Sequence, residues 1–197
     1  MHRVIDEQKL NRSGVKMKRV ETEDPHLSIV PYSSKYPQIF QAIRSHILEV
    51  IPYKIEVEHV GSTAVPGLGG RNIIDILILT EREHLEETAK LLGDEGFKIN
   101  PQSCSQEKLF VSGPFKHNNE RLHVHIHITF VGSKEYMEKI MLRDYLIKHP
   151  DEAEKYYRLK KQWMRQAKDI SEHAGLKTPY INEVLRKAKE KAPSGRI

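Results

Sequence analysis

An acidic residue, Asp75, lies in the middle of the apolar run 73–79, after a loop rich in glycine. An ionised carboxylate in such a run loses hydration, at a cost of several kcal/mol, unless a cation or hydrogen bonds compensate for it. Ahead of it, Gly61 and Ser62 follow the β-type run 55–60, where a glycine allows backbone N–H groups to approach an anion and the serine hydroxyl adds a donor. We therefore expect a site that holds a phosphate beside a metal-binding carboxylate.

A second set of candidate ligands is a row of histidines. Apolar and polar residues alternate along 122–130, so His123, His125 and His127 share one face of the predicted strand. The three span about 13 Å at roughly 3.3 Å per residue, so one ion can bind two of them, and we select His125 and His127. Imidazole ligands favour zinc or another transition metal over magnesium. Equally, histidines on a solvated strand face need no ion and can hydrogen-bond a carboxylate or a carbonyl group.

Residues next to the Gly-Ser turn and before the acidic strand add further candidates. Glu58 and His59 face opposite sides of their strand. Glu58 is the better candidate ligand, whereas His59 equally fits a core residue that makes one hydrogen bond. Arg71 can bind a polyphosphate in a bidentate manner, or it can instead neutralise Asp75 or Glu58.

Hydrophobic periodicity predicts the elements that carry these residues. Apolar residues at helical spacing follow Pro37 and predict a helix that ends at Pro52. Thr80 and Glu83 match a capping box and predict the start of a second helix. Strands are predicted at 55–60, 73–79, 97–99, 109–111 and 122–130.

The C-terminal third is predicted to be helical. Ser133 can cap a helix that ends at Pro150, the next helix begins near Asp151, and Thr178–Pro179 is predicted to start the last one. We therefore expect three parts: a flexible or edge arm at 1–24, an α/β domain at 25–150, and basic helices at 151–197 that pack on the same domain.

Composition limits the class of protein. A chain of 197 residues with 38% apolar residues fits one domain with a helical appendage. No apolar run is long enough to cross a bilayer, and the charged first residues do not match a signal peptide, so we expect a cytoplasmic protein without a membrane partner. The single cysteine, Cys104, excludes an internal disulfide and a thiolate metal cluster.

Basic charge is concentrated near the C-terminus. Residues 155–197 contain twelve Lys or Arg and four acids, a balance of +8, whereas the whole chain carries +5. Solvated faces of two helices account for this most simply, and a surface that attracts a polyanion, such as a nucleotide, coenzyme A or tRNA, is the alternative. RNA is a partner that no sequence motif supports.

Several of these segments together carry a resemblance to a known family. They are the block 58–68, the strand around Asp75, the pair His125 and His127, and the segment 143–150. From about residue 32 to about residue 188, the chain resembles the GrpB family (UPF0157), an uncharacterised group assigned to the nucleotidyltransferase superfamily that includes DNA polymerase beta. In that superfamily a Gly-Ser pair precedes two carboxylates one residue apart. Asp75 matches the first position, and Leu77 stands at the second, a loss that the family shares.

The resemblance implies a nucleotidyltransferase-like α/β fold of the α+β type, with a mixed sheet flanked by helices and a helical C-terminal part. It implies Asp75 as the catalytic residue and a divalent ion, magnesium or a transition metal such as zinc or manganese. The metal ligands would be Asp75, Glu58, His125 and His127, and the phosphate-binding residues would be Gly61, Ser62, Thr63 and Arg71. Arg71 stands where the family usually has lysine.

Three functions are expected from these residues and from the resemblance. The first is metal-dependent transfer of a nucleotidyl group from an NTP to an unknown acceptor. The second is a catalytically silent module that binds a nucleotide or a coenzyme A precursor, since GrpB-like segments occur fused to dephospho-coenzyme A kinase. The third is a metal-dependent phosphohydrolase in which the histidine pair and Asp75 activate water.

Overall fold

The structure is a computed structural model that describes residues 28–118 and 120–191. The arm expected at 1–24 lies outside the described residues. The strands are β1 Glu56–Val60, β2 Ile73–Leu79, β3 Lys98–Ile99, β4 Leu109–His117 and β5 Glu120–Thr129. The helices are α1 Tyr36–Val50, α2 Leu85–Asp94, α3 Lys134–Lys148, α4 Pro150–Gln166 and α5 Ile170–Lys191.

The five strands form a mixed sheet in the order β1-β2-β5-β4-β3. Strands β2 and β5 run parallel, and each other neighbouring pair is antiparallel. The helix-rich C-terminal part follows the last strand directly. The expected α+β class with a mixed sheet is therefore confirmed.

The two faces of β2 pack against different helices, as the alternation of its side chains predicts. Ile74, Ile76 and Ile78 are buried in the main core with residues of α1 and α2. On the opposite face, Leu77 packs with residues of α3. Asp75 belongs to this second face, so it lies between the sheet and the C-terminal helices.

A second core joins the C-terminal helices to the loop between β1 and β2. Val65 and Leu68 of this loop are buried together with Tyr156 of α4 and Val184 of α5. Burial of these apolar side chains holds the helices over the sheet face that carries Asp75. Among the described helices, none is long and apolar enough to span a bilayer.

Capping signals explain where two of the helices begin. Pro37 lies in the first turn of α1, where its missing N–H costs no hydrogen bond. The Ser133 hydroxyl accepts a hydrogen bond of 3.1 Å from the Tyr136 amide at the start of α3. Both predicted starts are confirmed.

The capping box predicted at Thr80 and Glu83 is wrong. A short 3-10 turn spans Arg82–His84, and α2 begins only at Leu85. The Thr80 amide instead donates to the Thr129 carbonyl at 2.9 Å, which continues the pairing of β2 with β5, and the Thr80 hydroxyl is buried without a hydrogen-bond partner among the described residues.

The predicted start of the last helix at Thr178–Pro179 is also wrong, because α5 begins at Ile170 and continues through Pro179. Asp169 Oδ1 accepts from the Glu172 amide at 2.8 Å, and Glu172 Oε2 accepts from the Lys168 amide at 2.7 Å. This reciprocal cap starts the helix earlier. The helix tolerates the loss of the one backbone hydrogen bond that Pro179 cannot donate.

Candidate functional site

The Gly-Ser turn lies directly beside the acidic residue. Val60, the last residue of β1, pairs with Asp75 on β2, so the turn that follows lies next to the carboxylate. Gly61 has φ 70° and ψ −164°, a conformation that only glycine adopts readily. A Cβ atom at this position would lie 2.8 Å from Asp75 Cγ, so glycine is also required by the close approach.

Asp75 has an imidazole as its neighbour on the adjacent strand. The β2–β5 register pairs Asp75 with His125, and His125 Nδ1 lies 3.4 Å from Asp75 Oδ1. Burial by itself raises the pKa of Asp75, but interactions with the His125 and His127 imidazoles outweigh burial and hold this pKa well below its usual range. The carboxyl group is therefore ionised at neutral pH, and its side chain keeps 26% of its surface exposed.

The second selected histidine, His127, belongs to a different cluster. Its Nδ1 lies 3.1 Å from Glu135 Oε1, although the angle leaves this nitrogen without a hydrogen bond within the described part of the chain. Burial lowers the pKa of His127 to about 4, so the ring is neutral at pH 7. Glu135 in turn pairs with Lys108 and Lys139 at 3.2 and 3.3 Å.

Glu58 and His59 are held by neighbours outside the Asp75 pair. Arg143 on α3 donates to Glu58 Oε2 at 2.6 Å and to the His59 carbonyl at 3.0 Å. The His59 ring stacks on Phe40 and lies 3.0 Å from the Thr63 hydroxyl. Burial lowers the pKa of His59 to about 4, which fits a neutral core histidine with one hydrogen bond.

Lys160 on α4 is a residue of the site that the sequence patterns did not predict. Its side chain is 3% exposed, and its Nζ donates to the Ser62 hydroxyl at 2.8 Å and to the Gly69 carbonyl. Burial, together with the charge of Lys177, lowers the pKa of Lys160 to about 7. A sequence signal existed, because Lys160 continues the helical spacing of the inward residues Ala153 and Tyr156.

A small cavity brings these groups together with further cations. It has a volume of about 60 Å³ and is lined by Ile29, Ser62, Gly70, Arg71, Ile73, Asp75, Tyr156, Lys160, His173 and Lys177. Burial and the charge of Arg71 lower the pKa of Lys177 to about 8. Within residues 28–118 and 120–191, neither Arg71, Lys160 nor Lys177 lies within salt-bridge distance of a carboxylate. The cavity therefore carries more positive than negative charge, as an anion site requires.

A second small cavity lies on the other side of the Gly-Ser turn. Its volume is about 80 Å³, and it shares Ser62 and Tyr156 with the first cavity. Lys139 and Arg143 contribute its positive charge. Both cavities thus place cations around the same serine.

The predicted metal ligands are not arranged as a metal centre in which protein side chains supply the ligands. Leu77, which stands where the resemblance would place a second carboxylate, is fully buried. Of the four predicted ligands, only Asp75 and His125 are in contact, because Glu58 and His127 interact with other partners. No group of three or more His, Cys, Asp or Glu side chains in the described part of the molecule is arranged to hold an ion.

The structure brings some of the predicted phosphate-binding residues together and excludes the side chain of another. Gly61, Ser62 and Arg71 surround Asp75. The Thr63 hydroxyl instead donates to the Ile73 carbonyl at 3.3 Å and is buried, so only its backbone N–H remains a candidate.

Comparison with known proteins finds similar sequences. The model of the GrpB protein family matches residues 26–187. A UPF0157 protein from Pseudomonas aeruginosa is 35% identical over 141 residues, which are 68% of this chain and 55% of the relative. The UPF0157 protein YqkA from Bacillus subtilis is 30% identical over 167 residues, which are 83% of this chain and 47% of the relative. The chain thus spans about half the length of these two relatives.

The fold is also found in a solved structure. The crystal structure of conserved protein GrpB from Enterococcus faecalis matches with a TM-score of 0.71 at 24% sequence identity. The match covers 83% of this chain and 98% of that chain. At this level of identity, the similarity shows a shared fold.

Proposed function

Because this chain belongs to the GrpB family, we propose a function that starts from the site of that fold: the protein binds a nucleotide through its phosphate groups. The observation that carries the proposal is the cavity lined by Ser62, Arg71, Lys160 and Lys177. Lys160 is buried, and Arg71 and Lys177 are half-buried. Cationic side chains in such positions without a salt bridge to a carboxylate are costly, and a bound anion offsets that cost.

The individual groups suit a phosphate. Arg71 can bind two oxygens of one phosphate, and the two lysines supply point charges. Ser62 adds a hydroxyl at the end of a turn whose glycine opens the backbone to an anion. Lys160 already holds the Ser62 hydroxyl at 2.8 Å, so both groups are oriented before a ligand binds.

The size and position of the cavities favour a chain of phosphates over a single one. The first cavity, of about 60 Å³, has room for one phosphate-sized group. The second, of about 80 Å³, also borders Ser62, and Lys139 and Arg143 in its lining are paired with Glu135 and Glu58, so a further phosphate there would exchange with these carboxylates. A nucleoside di- or triphosphate can thus place successive phosphates on the two sides of the Gly-Ser turn.

Calorimetric titration with ATP, GTP, CTP and UTP tests this proposal. Lys160→Met should raise the dissociation constant about 10- to 100-fold, the loss expected for one charge-assisted hydrogen bond. Lys161→Met is the matched control, because Lys161 lies over the Tyr157 ring and does not line the cavity. Lys177→Ala supplies a second test if the buried substitution disturbs folding. Equal affinity in all these proteins would contradict the proposal.

A second candidate function is transfer of a nucleotidyl group, and the ionised state of Asp75 favours it. In this reaction an acceptor hydroxyl attacks the α-phosphorus, and the new oxygen–phosphorus bond forms as the bond to the bridging oxygen breaks. Asp75 accepts a hydrogen bond from the attacking hydroxyl and orients it, the hydroxyl proton passes to water, and pyrophosphate leaves with the bonding electron pair. Arg71 and Lys160 stabilise the charge that develops on pyrophosphate.

Pyrophosphate release from the four NTPs with candidate acceptors tests the transfer reaction. Asp75→Asn should abolish the release and preserve the fold, while Asp94→Asn on the exposed end of α2 should leave it unchanged. Release that persists in Asp75→Asn would contradict the role of Asp75. Phosphate or monophosphate release without an acceptor would favour a phosphohydrolase, and tight binding without turnover would favour the silent module.

A further inference from the structure

A larger groove lies beside the candidate phosphate site. Its volume is about 580 Å³, and Arg71 and Ile73 line both this groove and the smaller cavity. Ile73 pairs with His123 across β2 and β5, two residues before the pair of Asp75 and His125. Residues two apart on a strand share a face and lie about 7 Å apart, so the groove continues the same sheet face.

The groove is lined by cations without acids. Arg71, Lys98 and Arg121 are the cations that line it, and its lining contains no Asp or Glu. Lys98 and Arg121 are exposed, and in the part of the chain that the structure describes neither forms an ion pair. By contrast, Lys35 near the same end of the sheet is paired with Glu120 at 2.9 Å. The charges of Lys98 and Arg121, which lack an ion pair in the described part of the chain, favour an anionic ligand.

The groove lacks the features of a site for a nucleobase. No Phe, Tyr or Trp is among its lining residues, whereas bases usually stack on aromatic rings. Its lining also includes the polar residues Asn72 and Ser112 and the small or aliphatic residues Gly113, Pro114 and Leu122. The volume falls in the range of sites for small molecules, about 300–1,000 Å³.

We infer that this groove binds the phosphate group of a second substrate, a small phosphorylated molecule, next to the nucleotide. The inference rests on the proposed function, because Arg71 would lie between the two anions. Lys98 and Arg121 hold the phosphate of the second substrate, and the rest of that molecule extends toward Asp75. The groove thus assigns the acceptor of the second candidate function to the class of small phosphate esters.

Amide NMR of the full chain, titrated with ribose 5-phosphate for the groove and separately with ATP for the pocket, tests the inference. The amides of Lys98, Ser112 and Gly113 should report the groove, and those of Gly61 and Ser62 should report the nucleotide pocket. The double variant Lys98→Ala/Arg121→Ala should raise the dissociation constant measured at the groove about tenfold or more. It should change the dissociation constant measured at the nucleotide pocket less than about twofold. Lys54→Ala/Lys90→Ala removes two exposed lysines outside the groove and should change neither value.

The outcomes separate this inference from the proposed function. Groove amides that do not respond, or that respond equally in Lys98→Ala/Arg121→Ala, would overturn the inference even if ATP binds normally in the pocket. Failure of ATP to bind the pocket, with an intact groove response, would overturn only the proposed function. An eight-nucleotide RNA that binds the groove more than about tenfold more tightly than ribose 5-phosphate would overturn the small-molecule assignment.

Discussion

Lys160 donates a hydrogen bond of 2.8 Å to the hydroxyl of Ser62, a residue 98 positions earlier in the chain. This contact joins α4 to the Gly-Ser turn at the edge of the sheet. The Gly-Ser pair alone would be a weak sequence signal for a ligand site. Because Lys160 contacts it, the pair forms one wall of a charged cavity. Part of the basic charge that is concentrated after residue 155 therefore lies at the site, because Lys160 and Lys177 line the cavity.

Nucleotide binding should weaken as the pH rises. In the free protein the pKa of Lys160 is lowered to about 7 and that of Lys177 to about 8. Both lysines are charged at low pH and lose their protons as the pH rises past these values. At pH 9 the lysines must therefore take up protons again before they can bind an anion as charged groups. We expect the ATP dissociation constant to rise about tenfold or more between pH 6.5 and pH 9.

Calorimetry measures this effect directly, because binding at pH 8 should take up protons. Repeating the titration in buffers with different ionisation enthalpies gives the number taken up. Lys160→Met should reduce this number. Proton release on binding, or an affinity that is constant up to pH 9, would contradict the assignment of these lysines.

Removing divalent ions should leave nucleotide binding largely intact. The charge of the phosphates is met by Arg71, Lys160 and Lys177, and the described residues contain no metal centre built by the protein. We expect EDTA to change the ATP dissociation constant less than about threefold at constant ionic strength. Complete loss of binding in EDTA, with recovery on added magnesium or manganese, would instead support the predicted metal site.

Substitution of Gly61 should cost more stability than substitution of a glycine without close neighbours. In Gly61→Ala the new Cβ would lie 2.8 Å from Asp75 Cγ, in a conformation that costs about 1–3 kcal/mol for other residues. Gly67→Ala is the control, because Gly67 also has a positive φ, +79°, but a Cβ atom added at this residue would have no neighbouring atom within 4 Å. Urea unfolding should show the larger loss for Gly61→Ala, and equal losses would mean that the neighbouring carboxylate moves freely.

Glu135 should contribute stability that depends on pH. Burial tends to raise its pKa, but the contacts with His127, Lys139 and Lys108 lower it overall below the ordinary value of 4.5. The folded state therefore gains stability above pH 4.5, and this gain is lost as the pH falls further. Glu135→Gln should lower the free energy of unfolding by about 1–3 kcal/mol at pH 7, and the difference should shrink toward pH 3.

Glu138→Gln provides the comparison for this prediction. Glu138 pairs with the exposed Lys134 at 3.8 Å, and exposed pairs contribute about 0–1 kcal/mol. Denaturant unfolding at several pH values measures both variants. A Glu135→Gln difference that is the same at pH 3 and pH 7 would show that the effect does not arise from the charge.

Much of the fold follows from local patterns along the chain. The alternation in 73–79 correctly separates Ile74, Ile76 and Ile78 from the face of Asp75, because strand side chains alternate whatever the sheet contacts. Helix ends were less predictable. Thr80 carries a capping signal, but its amide is used by Thr129 in the sheet, and the competing cap at Asp169 starts α5 before Pro179.

By itself, the sequence determined the chemistry of the central strand: a carboxylate that needs a partner, a glycine turn before it and a row of imidazoles. These depend on residue type and on the two-residue repeat of a strand, which are local properties. Only the tertiary structure decided the partners. Packing of apolar side chains on α3, α4 and α5 lets Arg143 donate a hydrogen bond to Glu58 and Lys160 donate one to Ser62. It also brings Glu135 next to His127. Such contacts depend on how helices dock, which no local pattern encodes, and here docking placed Lys160 and Lys177 around the cavity beside the Gly-Ser turn.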